Sequence, residues 1–399
     1  MQSYDCGSVC PMFFNDFDNS RLAAQLSGKR FSVVYRLSGD EQTARNKVED
    51  ICGEQSVEFP VDLLPLGVIP EKIVGRIEHF ERESPASWLA TISFAEEIAA
   101  GEWPQFLNVL FGNISIKRGI QVAAFEQGDA LTGLFPGPKF GIAGIRQLIE
   151  VPVCPPLFTA LKPMGLSVQN LARLAERFVE GGIDIIKDDH GLSDQVFSPF
   201  EERVVRCVDA VKEANVKFGR HSIYVPNITA PAEKIIDRAV WAKKHGAGGL
   251  LLSPGLVGLD TLRRLAAMNI GVPIFVHPAF IGSYVMSSEH GIDCGVLFGT
   301  LMRLAGADAT IFPNYGGRFP LSVDDCVGIV QASRKPMDDF LPIFPTPAGG
   351  MELKNIREML NRYGYDTLVL VGSGLFRCGD DLIANCRRFL EEVSDHQSP

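Results

Sequence analysis

The run Gly181-Gly182-Ile183-Asp184-Ile185-Ile186-Lys187-Asp188-Asp189-His190 sets a lysine and three potential metal ligands directly after an apolar segment. An amine beside carboxylates and an imidazole can hold a divalent cation, move a proton, or do both. Spacing alone leaves a second reading open, a solvated polar turn at the end of a strand. The chemistry therefore depends on what lies around this segment and on which fold presents it.

The surrounding pattern is regular. From about Glu150 the chain alternates short apolar segments with helical stretches, and eight strand candidates can be read: LFTALK, GIDIIK, SIYVPN, GGLLLS, PIFVH, DATIF, PIFPT and TLVLVG. Gly, Pro or polar residues follow each, and then stretches such as SVQNLARLAERFVE, FEERVVRCVDAVKEA and PAEKIIDRAVWAKKH. Eight such units in about 250 residues predict a (β/α)8 barrel, which gathers its catalytic residues at the C-terminal ends of its strands. A doubly wound open sheet is the alternative. It would carry G-x-G-x-x-G after its first strand, where ALKPMG stands instead.

On the barrel reading the strand ends yield one set of residues. Lys162 follows strand 1; Lys187, Asp189 and His190 follow strand 2; Asn227 follows strand 3; and Ser253 follows strand 4. His277, the Asn314–Arg318 loop, Gly349-Gly350 and Gly372-Ser373-Gly374 follow strands 5 to 8. Backbone N–H groups of glycine-rich loops after strands 7 and 8 can bind a phosphate without a basic side chain, and the plainer reading is two tight turns. Lys162 could be a surface lysine, although one followed by Pro-Met-Gly is awkward to explain by packing. His277 could be a core histidine bonded to backbone. Asp188 could support a ligand from outside or simply join a salt bridge. His245 and His290 read as structural, and Cys294 and Cys378 as small apolar fillers.

Residues 29–150 read as an α+β unit. RFSVVYRLS and SWLATISFA are strands, DEQTARNKVEDIC is a helix, EEIAAG a short helix, and the Gly/Pro-rich LFPGPKFGIAGIRQLI reads as a connection. The expected organisation is a tail at 1–28, the α+β domain at 29–150 and the barrel at 151–399. The 399 residues, 46% hydrophobic, suffice for two domains. A net charge of −10 without a basic block excludes a nucleic-acid groove or an anionic membrane surface, so an anionic substrate must be held by a local site. No apolar run approaches the roughly 20 residues of a membrane-spanning helix, and acidic residues stand where a signal peptide would be basic; both predict a cytoplasmic enzyme. The nine cysteines lack zinc-type spacing, Cys6 and Cys10 included, and read as reduced thiols.

GGIDIIKDDHGLSDQVFSPFEER resembles the G-G-[LI]-D-x-x-K-D-D-E-…-Q-x-F signature of the RuBisCO superfamily, and the chain as a whole is similar to its RuBisCO-like branch over most of residues 29–390. TALKPMGLS resembles T-x-K-P-K-x-G-L-S, FVHPAFIG the histidine segment after strand 5, and TPAGGM and VGSGLF the glycine turns after strands 7 and 8. The resemblance implies an α+β domain followed by a (β/α)8 barrel. It also implies that Lys187 is carbamylated by CO2 and holds Mg2+ with Asp189 and the next residue, and that Lys162 is the acid/base lysine. His277 is implied as catalytic, and Gly349, Gly350, Gly372 and Ser373 as the phosphate site. Asn113, in LFGN, matches the family's active-site asparagine, carried in a homodimer to the barrel mouth of the partner chain.

The departures are as informative. The third Mg2+ ligand of the family is Glu and here it is His190, which makes the site one negative charge poorer and favours borderline metals somewhat more. Met164 replaces the second lysine of the strand-1 motif, and Pro278 and Ile311 replace an arginine and a histidine that hold a second phosphate in carboxylases. PNYGGRFP, with Arg318, replaces the mobile loop whose lysine polarises CO2, and a guanidinium fork is a poor copy of an ammonium point charge. Glu54 aligns with a residue over the site. The expectation is a substrate with one phosphate, metal-assisted removal of an α-proton by the Lys187 carbamate or the Lys162 amine, and no CO2 fixation. An enolase or isomerase and a decarboxylase remain open, as does a non-catalytic sugar-phosphate binder.

Overall fold

Along β1 (Arg30–Ser38) Phe31, Val33, Tyr35 and Leu37 are buried while the residues between them are not, the alternation of a strand with one covered face. β1 is the centre of a sheet ordered β10-β4-β1-β3-β2, with β2 Arg76–Ser84, β3 Ser87–Ala95, β4 Ile120–Glu126 and β10 Gly291–Ile292. These elements belong to a computed structural model that describes residues 21–126 and 133–394; Cys6 and Cys10 lie outside the described residues. The β1 pairings with β3 and β4 are antiparallel, and only β10 joins in parallel. Helix Glu41–Glu54 starts where the Asp40 carboxylate accepts the Thr43 N–H at 2.8 Å, and helix Trp103–Phe111 packs Phe106 on Phe31 with ring centroids 5.6 Å apart. β2 and β4 escape a sequence reading for physical reasons. β2, RIEHFERES, is an exposed, charge-studded edge strand, and β4 has a register shift opposite Val34/Tyr35.

The remaining chain is the (β/α)8 barrel. Its strands are β5 (Leu157–Leu161), β6 (Ile185–Asp188), β7 (Ile223–Val225), β8 (Leu250–Leu252), β9 (Ile274–Val276), β11 (Ala309–Pro313), β12 (Phe344–Ala348) and β13 (Val369–Leu370). All pairings are parallel in the order β7-β6-β5-β13-β12-β11-β9-β8. The ring closes between β7 and β8, where Leu251 N–H donates to the Pro226 carbonyl and Ile228 N–H to the Leu251 carbonyl, both at 2.9 Å. The eight strand segments read from the sequence are these eight. Among the described residues no helix is long and apolar enough to cross a membrane.

The stretch expected to be a connection contains a helix, Gly141–Ile149, and the sequence reading is corrected there. Pro136, Gly137 and Pro138 precede the helix and Gly141 and Gly144 lie within it, while Ile142, Ile145 and Ile149 share one face and pack with Phe158, Ile185, Ile223 and Leu368 inside the barrel. Helix and barrel are therefore one packing unit. Contacts divide the chain at Pro136, ahead of the expected Glu150, and assign Ser287–Asp293 to the N-terminal unit because β10 pairs with β4.

Asp308, at the start of β11, anchors that helix. Its Oδ1 accepts the N–H groups of Phe140 and Gly141 at 2.7 and 2.9 Å, and its Oδ2 accepts that of Ile274 at 2.9 Å. Asp308→Ala removes the acceptor of three N–H donors at a position that is 1% exposed. The expected loss is about 3 kcal/mol of stability, read as a shift in urea midpoint. An unchanged midpoint would show that the carboxylate is dispensable.

Candidate active site

Strand parity decides which side chains can meet. Phe158, Ile185, Ile223, Val225, Leu251, Phe275, Ala309 and Ile311 form the barrel interior, so residues two or four positions further along the same strands share that face. Lys162, Lys187, Asp189, Asn227, Ser253 and His277 all have inward parity. Asp188 has outward parity, which explains why two adjacent aspartates have different surroundings.

Lys187 is 2% exposed, and its Nζ donates to the Asp188 carbonyl at 3.0 Å. Burial, assisted by the Lys162 charge and opposed by Asp189 and Asp188, lowers its amine to about 8. Lys162, directly after β5, places Nζ 2.5 Å from Asp189 Oδ1, and His190 Nδ1 is 3.2 Å from the same oxygen. Burial would raise the Asp189 carboxyl, but His190, Lys162 and the charge of Lys187 hold it well below the usual carboxylate range. The His190 ring stacks on His277 with centroids 4.0 Å apart and planes 10° from parallel. Burial, then the charges of Lys187, His190 and Lys162, keep His277 well below the ordinary imidazole value. His277 Nδ1 accepts the Ala279 N–H at 3.2 Å, so the neutral ring carries its proton on Nε2.

The structure thus gathers Lys162, Lys187, Asp189, His190 and His277 at one place. Among the described residues no three His, Cys, Asp or Glu side chains form a ready metal-binding group. The candidate ligand set is Asp189 and His190, and it is complete only if Lys187 acquires oxygen donors. The buried Asp189 Oδ1, which lacks a partner of hydrogen-bonding geometry, and the low-lying Lys187 amine suit that chemistry.

Other expected residues sit elsewhere. Arg318 is exposed, with its guanidinium 5.0 Å from the centroid of the Phe319 ring. Asn314 is engaged with the Tyr363 hydroxyl at 2.7 Å, and Ile311 is buried in the barrel interior. Asn113, in the N-terminal unit, donates to Glu54 Oε1 at 2.9 Å and Glu58 Oε1 at 3.0 Å. Sequence reasoning missed Arg203 and Tyr224, which hold Asp188 from behind. An arginine in the first turn of a helix was the available signal, since that position ordinarily favours anions.

Residues 141–316 match the family model of the ribulose bisphosphate carboxylase large chain, catalytic domain. The crystal structure of a Rubisco-like protein from Rhodopseudomonas palustris superposes with a TM-score of 0.83 at 36% identity, covering 93% of this chain and 99% of that one. The 5-methylthioribulose-1-phosphate isomerase of Rhodospirillum rubrum is 33% identical over 92% of this chain and 96% of its own length. The chain belongs to the RuBisCO-like protein family. A 2,3-diketo-5-methylthiopentyl-1-phosphate enolase of Exiguobacterium sibiricum is also 33% identical, over 76% of this chain and 77% of its own.

In this RuBisCO-like protein the glycines after strands 7 and 8 differ in kind. Gly350 has φ +80°, and a Cβ there would lie 2.8 Å from Gly317 Cα, so the turn itself demands glycine. Gly372 has no such φ, and a Cβ there would meet nothing within 4 Å. Gly350→Ala is expected to cost about 1–3 kcal/mol, and Gly372→Ala to leave the urea midpoint unchanged or slightly raised. Equal losses at the two positions would contradict this division.

Proposed function

We propose that this chain is an enolase- or isomerase-type enzyme that moves the α-proton of a phosphorylated keto sugar and does not fix CO2. The observation that carries the reading is the cluster of Lys162, Lys187, Asp189, His190 and His277 at the strand ends. The names of the isomerase and enolase relatives favour this class over a decarboxylase. A lysine on a buried carboxylate, with a second buried lysine beside it, is unnecessary for a protein that only binds sugar phosphate.

A divalent cation, Mg2+ or a more borderline metal, held by Asp189, His190 and carbamylated Lys187 would supply positive charge where the substrate's oxygens become negative. The Lys187 amine, lowered to about 8, has a substantial neutral fraction near neutral pH, and the neutral form attacks CO2. Its nitrogen gains a carbon and loses a proton to water. Lys162, whose Nζ reaches Asp189, is placed to take the α-proton once deprotonated and to return it at another carbon. His277 offers Nε2–H as a neutral hydrogen-bond donor to a substrate oxygen.

Backbone N–H groups of Gly349, Gly350, Gly372 and Ser373 would bind the single phosphate, and the free space at Gly372 supports that placement. Pro278 and Ile311 offer no charge to a second phosphate. Asn113 and Arg318 complete the substrate contacts, Asn113 from a partner chain in a homodimer. Free thiols at Cys52, Cys154, Cys207, Cys326, Cys378 and Cys386 suit a reducing cytoplasm.

Proton NMR in heavy water, with a panel of ketose and diketo-sugar monophosphates, tests the reading. Deuterium uptake at the α-carbon is expected, together with no label incorporation from bicarbonate and ribulose bisphosphate. Lys187→Ala should lower turnover by about 10²–10⁴-fold with the fold retained. Activation of the wild type by CO2 should rise with pH through about 8, as the amine loses its proton. No exchange across the panel would move the chain to the binder class.

Shared sites make a separate demand. Mixed Asn113→Ala and Lys187→Ala chains should regain activity, because a hybrid dimer contains one site free of both changes. A fully active monomer at assay concentration would rule out sharing.

A further inference from the structure

Behind the candidate ligands lies a buried set that the proposed reaction does not use. The Asp188 carboxylate is fully buried and accepts three hydrogen bonds: from the Tyr224 hydroxyl at 2.6 Å, the Asn227 N–H at 3.0 Å and Arg203 Nε at 3.2 Å. Arg203 is equally buried. Its Nη1 donates to the Ser198 carbonyl at 2.6 Å and to Ser198 Oγ at 3.2 Å, and its Nη2 donates to the Ser193 carbonyl at 2.6 Å. One guanidinium therefore ties the end of β6 to both sides of the loop that follows.

The placement of Arg203 needs a reason. It stands in the first turn of helix Phe200–Phe218, where unpaired N–H groups disfavour a cation, and it lies away from water. A buried ion pair is poor evidence of stability, since well-packed apolar side chains often serve as well. What this pair fixes is direction. Asp188 sits between Lys187 and Asp189, its carbonyl accepts from Lys187 Nζ, and its carboxylate is gripped from the helix, from β7 and from the backbone beyond β7.

We propose that Arg203 and Tyr224 are positioning residues for the metal-ligand set, holding Asp188 so that Lys187 and Asp189 leave the strand in the directions ligation requires. Neither touches a candidate ligand side chain or the substrate space. This rests on the function proposed above, and the two can fail separately.

The test is Mn2+ binding in the presence of bicarbonate, measured as free Mn2+ by electron paramagnetic resonance. The wild type, Tyr224→Phe, Arg203→Lys and Arg203→Met are compared at a temperature where circular dichroism shows each chain used to be folded. Tyr224→Phe deletes only a hydroxyl and carries the test if Arg203→Met does not fold. Tyr224→Phe should weaken Mn2+ binding about tenfold and Arg203→Met more, within the roughly 10–100-fold range typical of groups that orient metal ligands. Arg203→Lys should fall between wild type and Arg203→Met. Turnover should drop in step with little change in KM, because the phosphate loops are untouched. Folded variants that bind Mn2+ as the wild type does, even with lower melting temperatures, would reduce the network to a structural role and leave the proposed function standing. A wild type that exchanges the α-proton without binding Mn2+ would overturn the positioning role together with the metal reading.

Discussion

Lys187, Asp188 and Asp189 are consecutive, and an extended backbone sends consecutive side chains to opposite faces. That alternation is the constraint on which the site depends. It brings Lys187 and Asp189 to the barrel interior beside Lys162 and His277, and it sends Asp188 outward, where Arg203 and Tyr224 hold it. A register slip of one residue would put the outward aspartate inside and bury both functional groups against helices. The parallel pairings of β6 with β5 and β7, Lys187 opposite Ala160 and Val225, exclude such a slip.

Electrostatics then differentiates groups that are chemically ordinary. Against the effect of burial, His190, Lys162 and the charge of Lys187 hold the Asp189 carboxyl well below the usual carboxylate range, while burial and the neighbouring ammonium lower the Lys187 amine. The stacked His190 and His277 lie in the same field. Burial and that positive field keep His277 neutral, and a backbone N–H fixes its tautomer. These roles follow from position in the barrel, since each side chain would behave differently at the surface.

The barrel was legible because each of its strands is an apolar run bounded by turn residues and followed by a helical period, as in GIDIIK and PIFVH. The cluster itself was legible because polar residues break those runs at their C-terminal ends. β2 was not, since an edge strand facing water on both sides shows charge where alternation would be sought. Helix Gly141–Ile149 was hidden by the glycines and prolines before it, and its apolar face is meaningful only once a barrel interior exists to receive it. Arg203 and Tyr224 could not be linked to Asp188 by spacing, because the links are tertiary hydrogen bonds, one from the helix that follows β6 and one from β7. The glycines of the strand-7 and strand-8 loops looked alike in sequence, and only backbone geometry separates Gly350, required by its turn, from Gly372, which leaves room for something else.

The strand Gly291–Ile292 comes from the middle of the barrel sequence yet completes the N-terminal sheet beside β4. The chain passes from the first unit to the second, back again, and once more to the second. A gene fragment ending at Phe135 would therefore encode a sheet missing one border, with the N–H and C=O groups of β4 open to any strand that came near. The border strand of the first unit is encoded inside the sequence of the second, so that sheet is complete only once most of the chain has been made.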